Sequence, residues 1–283
     1  LIAAVSNVPP DGCLAMVSAS HTPSITVIVS TYNWPEALSL SLQSLAKQTD
    51  LDFEIIVADD GSRAETANLI KAFSQASPVP VLHVWQEDDG FRKARILNQA
   101  IRAARGGYLV FLDGDCIAQE DFIARHRLLS RPGYVVTGSR ILMSETLSKA
   151  LCAKGVVDLP SVRRKAIGLR LKGDISKLLS LLLKFPDNPF RNYRKFQWRR
   201  IKGCNFSCWK SDALAVDGYD EAYIGWGHED ADFVFRLYEA GIDRRSGAFA
   251  TEVLHIWHRE ADRSQARSNE TMLAERIARI KRV

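Results

Sequence analysis

No apolar run in this 283-residue chain reaches the ~18–20 residues of a bilayer-spanning helix, so no such span is expected. Cysteine is sparse and scattered. Of Cys13, Cys116, Cys152, Cys204 and Cys208, only Cys204 and Cys208 lie close in sequence, and no second close pair completes a four-ligand zinc site. Reduced thiols are expected rather than a disulfide framework, which is typical of smaller secreted chains. The composition also excludes a disordered chain: apolar residues are 46% and charged residues 25%, enough to build a sizeable core at this length.

The chain begins at Leu1 without a methionine, and Leu1 to Val5 is too short, and lacks the basic flank, for a signal-peptide core. We expect Met16 to be the natural start and residues 1–24 to be a variable tail. The formal net charge of +5 is unevenly placed. Between Arg163 and Lys202, thirteen Lys and Arg face only Asp174 and Asp187, a net +11 against −6 for the rest of the chain.

From Ile25 the sequence alternates apolar β-branched runs with helical spacing. Strands are expected at Ile25–Val29, Phe53–Ala58, Val79–Trp85 and Tyr108–Leu112, with helices over Trp34–Gln48, Glu65–Ala76 and Lys93–Arg105. This predicts an α/β fold built on a single mixed, mostly parallel sheet flanked by helices. Residues 25–143 form its first half, 144–202 a basic, partly helical insertion, 203–258 its second half, and 259–283 a C-terminal helix or tail. Within the insertion, Ile175 to Phe185 reads as an amphipathic helix, and part of the segment is expected to be mobile.

Ligands of such sheets sit at the carboxyl ends of the strands. Ser30-Thr-Tyr-Asn33, Asp59-Asp-Gly-Ser62 and Asp113-Gly-Asp115 all fall there. The two carboxylates of Asp113 and Asp115, one residue apart with Gly114 allowing a tight bend, are hard oxygen ligands suited to Mg²⁺ or Mn²⁺ beside a substrate phosphate. The same triplet also serves as an ordinary turn. Ser62, with Glu65 three residues on, reads as a capping box that leaves Asp59 and Asp60 free to accept hydrogen bonds from a base or ribose. His255 and His258 follow the last strand-like run, where an imidazole would shift a carboxylate-bound metal toward Mn²⁺.

In order, Val27-Ile-Val-Ser-Thr-Tyr-Asn33, Ala58-Asp-Asp-Gly-Ser62, Ile96-Leu-Asn-Gln-Ala-Ile101 and Phe111-Leu-Asp-Gly-Asp115 resemble family 2 glycosyltransferases of the GT-A fold. Gly225-Trp-Gly-His-Glu-Asp-Ala-Asp232 is similar to the acceptor region of β-1,4-galactosyltransferases and bacterial chondroitin-type polymerases. The resemblance covers about residues 25–258, interrupted by 144–202. It implies that Thr31, Tyr32, Asn33 and Asp60 bind the donor nucleoside, Tyr32 stacking on the base, and that Arg92 and Arg95 face the diphosphate. It implies that Asp115 ligates the metal, with Asp113 supporting it and His255 as a third ligand. Asp230 would be the general base, with Glu229, Trp226, Gly227 and His258 on the acceptor side.

The activity expected is inverting, metal-dependent transfer of a hexose or N-acetylhexosamine from a UDP-sugar to a glycan or lipid-linked acceptor in bacterial surface polysaccharide or lipopolysaccharide synthesis. A cytoplasmic enzyme is expected, held on the inner face of the plasma membrane by its basic segment, 163–202, against anionic lipid. No RNA-binding motif accompanies those cations, and no nucleic-acid partner is expected. Two alternatives stand beside this reading. A sugar nucleotidyltransferase would want a glycine-rich, basic loop after the first strand, which Ser30-Thr-Tyr-Asn-Trp34 lacks. A non-catalytic glycan- or membrane-binding protein on the same scaffold would not need Asp115, Asp230 and His255 intact.

Overall fold

A computed structural model of the chain describes residues 24–193, 201–259 and 262–280. Its first half runs β1 (Ile25–Thr31), α1 (Pro35–Leu45), β2 (Phe53–Asp59), α2 (Ala64–Ala76), β3 (Val81–Trp85), α3 (Lys93–Ala103), β4 (Tyr108–Asp113), β5 (Cys116–Ala118), α4 (Phe122–Leu129), β6 (Tyr134–Thr137) and β7 (Arg140–Leu142). The basic segment folds as α5 (Glu145–Lys154), α6 (Leu159–Arg164), α7 (Ala166–Leu171), α8 (Leu179–Leu182) and β8 (Asn192–Tyr193). The chain closes with β9 (Asn205–Trp209), α9 (Lys210–Ala215), α10 (Glu229–Glu239), β10 (Asp243–Ser246), β11 (Val253–His255) and α11 (Ala266–Ile280).

Among the described residues the main sheet has eight strands in the order β3-β2-β1-β4-β9-β6-β10-β8. The β3-β2-β1-β4 group is parallel, and β9 enters antiparallel between β4 and β6, so both halves of the chain share one sheet. Strand alternation divides the core between two faces. Val27, Val29, Ile55 and Val57 pack under Leu38 and Leu42 of α1. Ile28, Ile56, Leu109 and Phe111 pack under Ile96 and Leu97 of α3 and Phe233 of α10. Each such side chain contributes roughly 1.5–3 kcal/mol on full burial.

Three local expectations are corrected. The sheet is not single: β5, β11 and β7 form a second, three-stranded sheet that carries His255. The capping box does not form. The N-cap of α2 is Arg63, with no side-chain cap, because the Ser62 hydroxyl instead accepts the N–H of Asn33 at 2.8 Å. The helix expected over Ile175–Phe185 shrinks to Leu179–Leu182. There the backbone runs extended, Ile175 bridging to Met143 and the Ser176 N–H donating to the Leu142 carbonyl at 2.9 Å. Core demand explains the change: Ile175 and Leu181 are buried with Leu40, Ile141 and Leu254, whereas Leu179 and Leu182 face outward.

The described part of the basic segment is therefore packed onto the fold rather than loose. Several of its cations are used internally. Arg163 pairs with Glu120 at 2.5 Å, and Arg191 donates to the carbonyls of Ser246 and Ala248 at 2.8 Å each. Arg194, Lys195, Phe196, Trp198, Arg199 and Arg200 lie outside the described residues, as does the expected tail before Ser24.

Candidate active site

The parallel register brings three strand ends level. Ser30 of β1 is opposite Asp113 of β4, and Thr31 is opposite Asp59 of β2. Beyond these ends opens a cleft of about 760 Å³, bounded on its other side by the N-terminus of α10 and by the segment before β9. Thr31, Tyr32, Asp60, Asp113, Asp115, Trp226, Gly227, Glu229, Asp230, His255 and His258 all line it.

Asp60 is buried and accepts hydrogen bonds from Gln86 Nε2 at 2.5 Å and from the Arg92 N–H at 2.9 Å. Tyr32 is half exposed, and its hydroxyl donates to Asp88 at 2.9 Å. Asn33 turns away from the cleft lining, in a left-handed conformation at φ 47°. Its side-chain carbonyl accepts the N–H of Arg63 at 2.9 Å, which ties the loop after β1 to the loop after β2.

Burial raises the Asp60 carboxyl from 3.8 to about 6, with Asp88 and Asp59 adding to burial and the two hydrogen bonds opposing it. The folded state thus holds this proton more tightly than the unfolded chain, and stability falls as pH rises from about 4 to about 6. The loss is on the order of 3 kcal/mol at 1.36 kcal/mol per pKa unit. Asp60→Asn removes the titration. Its Tm relative to wild type is expected to rise between pH 4 and 7, and a pH-independent difference would contradict the assignment.

Another part of the lining carries the acids. Glu229 and Asp230 open α10, entered through Gly227 and a left-handed His228 at φ 73°. This unusual backbone turns both carboxylates toward the strand ends. Lys93, at the first turn of α3, reaches between them. Its Nζ lies 3.0 Å from Asp113, 3.7 Å from Asp230 and 3.8 Å from Glu229. Burial opposes the Lys93 charge, but Asp113, Asp230 and Glu229 outweigh it and hold the ammonium protonated. The Asp113 carboxylate, which also accepts from the Ser30 hydroxyl at 2.8 Å, is held below its ordinary range by Lys93 despite burial.

Burial and the neighbouring Asp230 raise Glu229 to about 7, and burial likewise raises Asp230. The Tyr219 hydroxyl donates to Asp230 Oδ1 at 3.1 Å. Behind Asp230 stands Gly203, where a Cβ would fall 1.6 Å from Asp230 Oδ2, so any side chain there would displace the carboxylate.

The cleft also holds a candidate cation site. Asp115 Oδ2 is 3.2 Å from His258 Nε2 and 3.6 Å from His255 Nε2, and donor atoms of the three lie within 4.8 Å of one another. Carboxylate with two imidazoles fits Mn²⁺ better than Mg²⁺. His258, expected nearer the acceptor, is closer to Asp115 than His255 is. Asp113, expected to support the metal, instead spends one oxygen on Lys93 and Ser30. Gly114 is needed for close approach rather than for a bend, since a Cβ there would meet the Ser30 carbonyl at 2.9 Å.

Other expected residues lie elsewhere. Arg92 pairs with Asp89 at 2.9 Å, Arg95 is exposed, and neither lines the cleft. Helical phase carries the signal that separates them from Lys93. Lys93 sits one turn before the buried Ile96 and Leu97, whereas Arg92 and Arg95 lie on the row that leads to the half-buried Gln99 and the exposed Arg102. Trp226, expected on the acceptor side, lines the cleft, and the Arg263 guanidinium sits 4.8 Å from the centre of its ring. Tyr219 and Arg140 had no motif to announce them.

The far side of α10 is clamped. Asp232 is fully buried and accepts from Arg236 at 2.9 Å, Arg276 of α11 at 2.7 Å and the Tyr223 hydroxyl at 3.2 Å. Leu273 of α11 packs on Ala231 and Phe235.

Comparison with known proteins agrees with this geometry. Residues 26–145 match the family described as Glycosyl transferase family 2, and residues 190–259 match one described as the N-terminal domain of galactosyltransferase. The chain is 30% identical over 233 residues to validoxylamine A glucosyltransferase of Streptomyces hygroscopicus subsp. jinggangensis, covering 80% of this chain and 54% of that protein. It is 26% identical over 245 residues to the chondroitin synthase of Escherichia coli, covering 80% of this chain and 34% of the synthase. The chain thus spans about half the length of the first relative and about a third of the second. Among solved structures, GalNAc-T7 with UDP, GalNAc and Mn²⁺ superposes with a TM-score of 0.60 at 16% identity, covering 90% of this chain and 48% of that one.

Proposed function

The chain belongs to the family 2 glycosyltransferases of the GT-A fold, with a galactosyltransferase- and chondroitin-synthase-like C-terminal region, and we propose that it transfers a hexose or N-acetylhexosamine, with inversion, from a UDP-sugar to an acceptor hydroxyl. One observation carries this reading. Two buried carboxylates with raised proton affinity, Glu229 and Asp230, share a strand-end cleft with a carboxylate–imidazole donor set and with the buried Asp60 and half-exposed Tyr32.

Asp115, His255 and His258 are the residues that would hold a divalent cation, which would supply positive charge for the leaving diphosphate. Asp230 takes the acceptor proton on a carboxylate oxygen as the acceptor oxygen bonds to the anomeric carbon. The bond from that carbon to the diphosphate oxygen breaks in the same displacement, and its electron pair leaves with UDP. Tyr219 and Lys93 hold Asp230 in place for this step, and Glu229 orients the acceptor hydroxyl. Similarity to a bacterial chondroitin synthase supports an acceptor that is a surface polysaccharide or lipopolysaccharide, or its lipid-linked precursor.

A lipid-linked acceptor fits a further part of this proposal, peripheral attachment to the anionic inner face of the plasma membrane. Leu171 and Ile167 of α7 are 84% and 64% exposed, with the exposed Arg164, Lys165, Arg170 and Lys172 close in sequence.

The test is UDP release from a panel of UDP-sugars with Mn²⁺, alone and with anionic or neutral vesicles. Release that EDTA abolishes supports the enzyme, and vesicle binding confined to the anionic lipid supports the attachment. UDP binding without release from any donor would favour the non-catalytic reading.

A further inference from the structure

Behind the cleft-facing donor set lies a second one of different chemistry. Donor atoms of Cys116, Cys204 and His255 also lie within 4.8 Å of one another, and all three residues are buried. Asp115 is within reach as a fourth ligand, 3.6 Å from the Cys116 thiol through Oδ1 and 3.6 Å from His255 Nε2 through Oδ2. We propose that Cys116, Cys204, His255 and Asp115 form a Zn²⁺ site that shares two ligands with the cleft-facing set and excludes an ion from it.

Geometry supports four-coordination. Zinc with bonds of ~2.3 Å to sulfur and ~2.0–2.1 Å to nitrogen or oxygen needs ligand atoms roughly 3.3–3.8 Å apart. Asp115 approaches both neighbours at such separations, Cys116 through Oδ1 and His255 through Oδ2. The frame is rigid. Cys116 on β5 is in register with His255 on β11, and Cys204 is fixed just before β9 by its carbonyl, which accepts the Asp113 N–H at 3.2 Å. An ion can enter from the cleft, because Cys204, His255 and Asp115 line it.

Arg140 prepares the site in two ways. Its Nη1 lies 3.4 Å from His255 Nε2, and a guanidinium can only donate, so Nε2 is unprotonated and would pass its lone pair from Arg140 to an incoming ion. The same nitrogen lies 3.9 Å from the Cys204 sulfur, so a cation already stands beside the place a thiolate ligand would take once zinc is bound. Zinc with two thiolates and one carboxylate carries a net single negative charge, which the Arg140 cation balances. Binding releases both thiol protons to solvent. Ligand softness then sets the choice of ion: thiolates select Zn²⁺ over Mn²⁺ or Mg²⁺. Since Asp115 and His255 serve both sets, zinc in the inner one would block a metal-dependent reaction in the cleft.

The test uses reduced, metal-free protein and Co²⁺ as a spectroscopic probe, followed by Zn²⁺ competition. One Co²⁺ per chain is expected, with a thiolate charge-transfer band that Zn²⁺ abolishes. In C116S/C204S the band should vanish and Zn²⁺ affinity fall by about 100-fold or more. His258→Ala, which touches only the outer set, should keep the band. No band in wild type, or unchanged zinc affinity in the double variant, would each overturn the site. These measurements need no turnover, so they stand apart from the test of sugar transfer.

Discussion

Replacing Asp230 with Asn is expected to lower the turnover number for sugar transfer by about 10²–10⁴-fold, the range contributed by a positioned general base. Asn keeps the shape of Asp and can still accept from the Tyr219 hydroxyl, now 3.1 Å from Asp230 Oδ1, but it cannot take the acceptor proton. Lys93 retains Asp113 at 3.0 Å, so the ammonium stays paired and the site does not collapse. Donor affinity should change little, because Asp60 and Tyr32 are held by Gln86, Arg92 and Asp88 and not by Asp230. Steady-state kinetics together with a direct UDP-sugar binding measurement separate the two effects. A variant with wild-type turnover would remove Asp230 from the role of base and leave Glu229 as the candidate.

Asp115→Ala acts through the metal instead. Asp115 is the carboxylate nearest both imidazoles, and its removal leaves His255 and His258 without an anionic partner. Burial raises the proton affinity of Asp115, with His255 opposing and Asp113 adding, so the side chain is not itself a source of stability without a cation. The metal-free variant should therefore melt no lower than wild type. A ligand at 100 times its Kd stabilises a protein by about 2.7 kcal/mol, and this Mn²⁺-dependent rise in Tm should disappear in the variant. Metal-dependent transfer should be lost with it. If the Mn²⁺ shift persisted, the ion would be held without Asp115, and Asp113 would become the carboxylate to examine.

The pair of variants separates the halves of the proposed reaction, and each residue reached its place by a different route. Asp115 follows a buried strand directly, so its position at a strand end was legible from the run Tyr108 to Leu112 alone. Asp230 was legible only through its motif, because nothing in the periodicity of α10 says that its N-terminus faces β4. Lys93 went unrecognised in favour of Arg92 and Arg95, although helical phase sets it on the buried side of α3. Burying an ammonium is costly unless acids surround it, and those acids come from residues 113, 229 and 230, far away in sequence.

The same division runs through the whole chain. Local information determined the strands, because runs such as Ile55 to Ala58 are apolar throughout and suit only a sheet covered on both faces. It also determined which acids stand at strand ends, since a strand's last residue needs no tertiary contact to be named. Tertiary structure decided what competes for shared groups. Ser62 bonds Asn33 rather than capping α2, Ile175 joins a core instead of a helix, and His255 stands between one set of hard donors and another of soft ones. In each case the winning partner is remote along the chain, and its pull depends on distances that only packing sets.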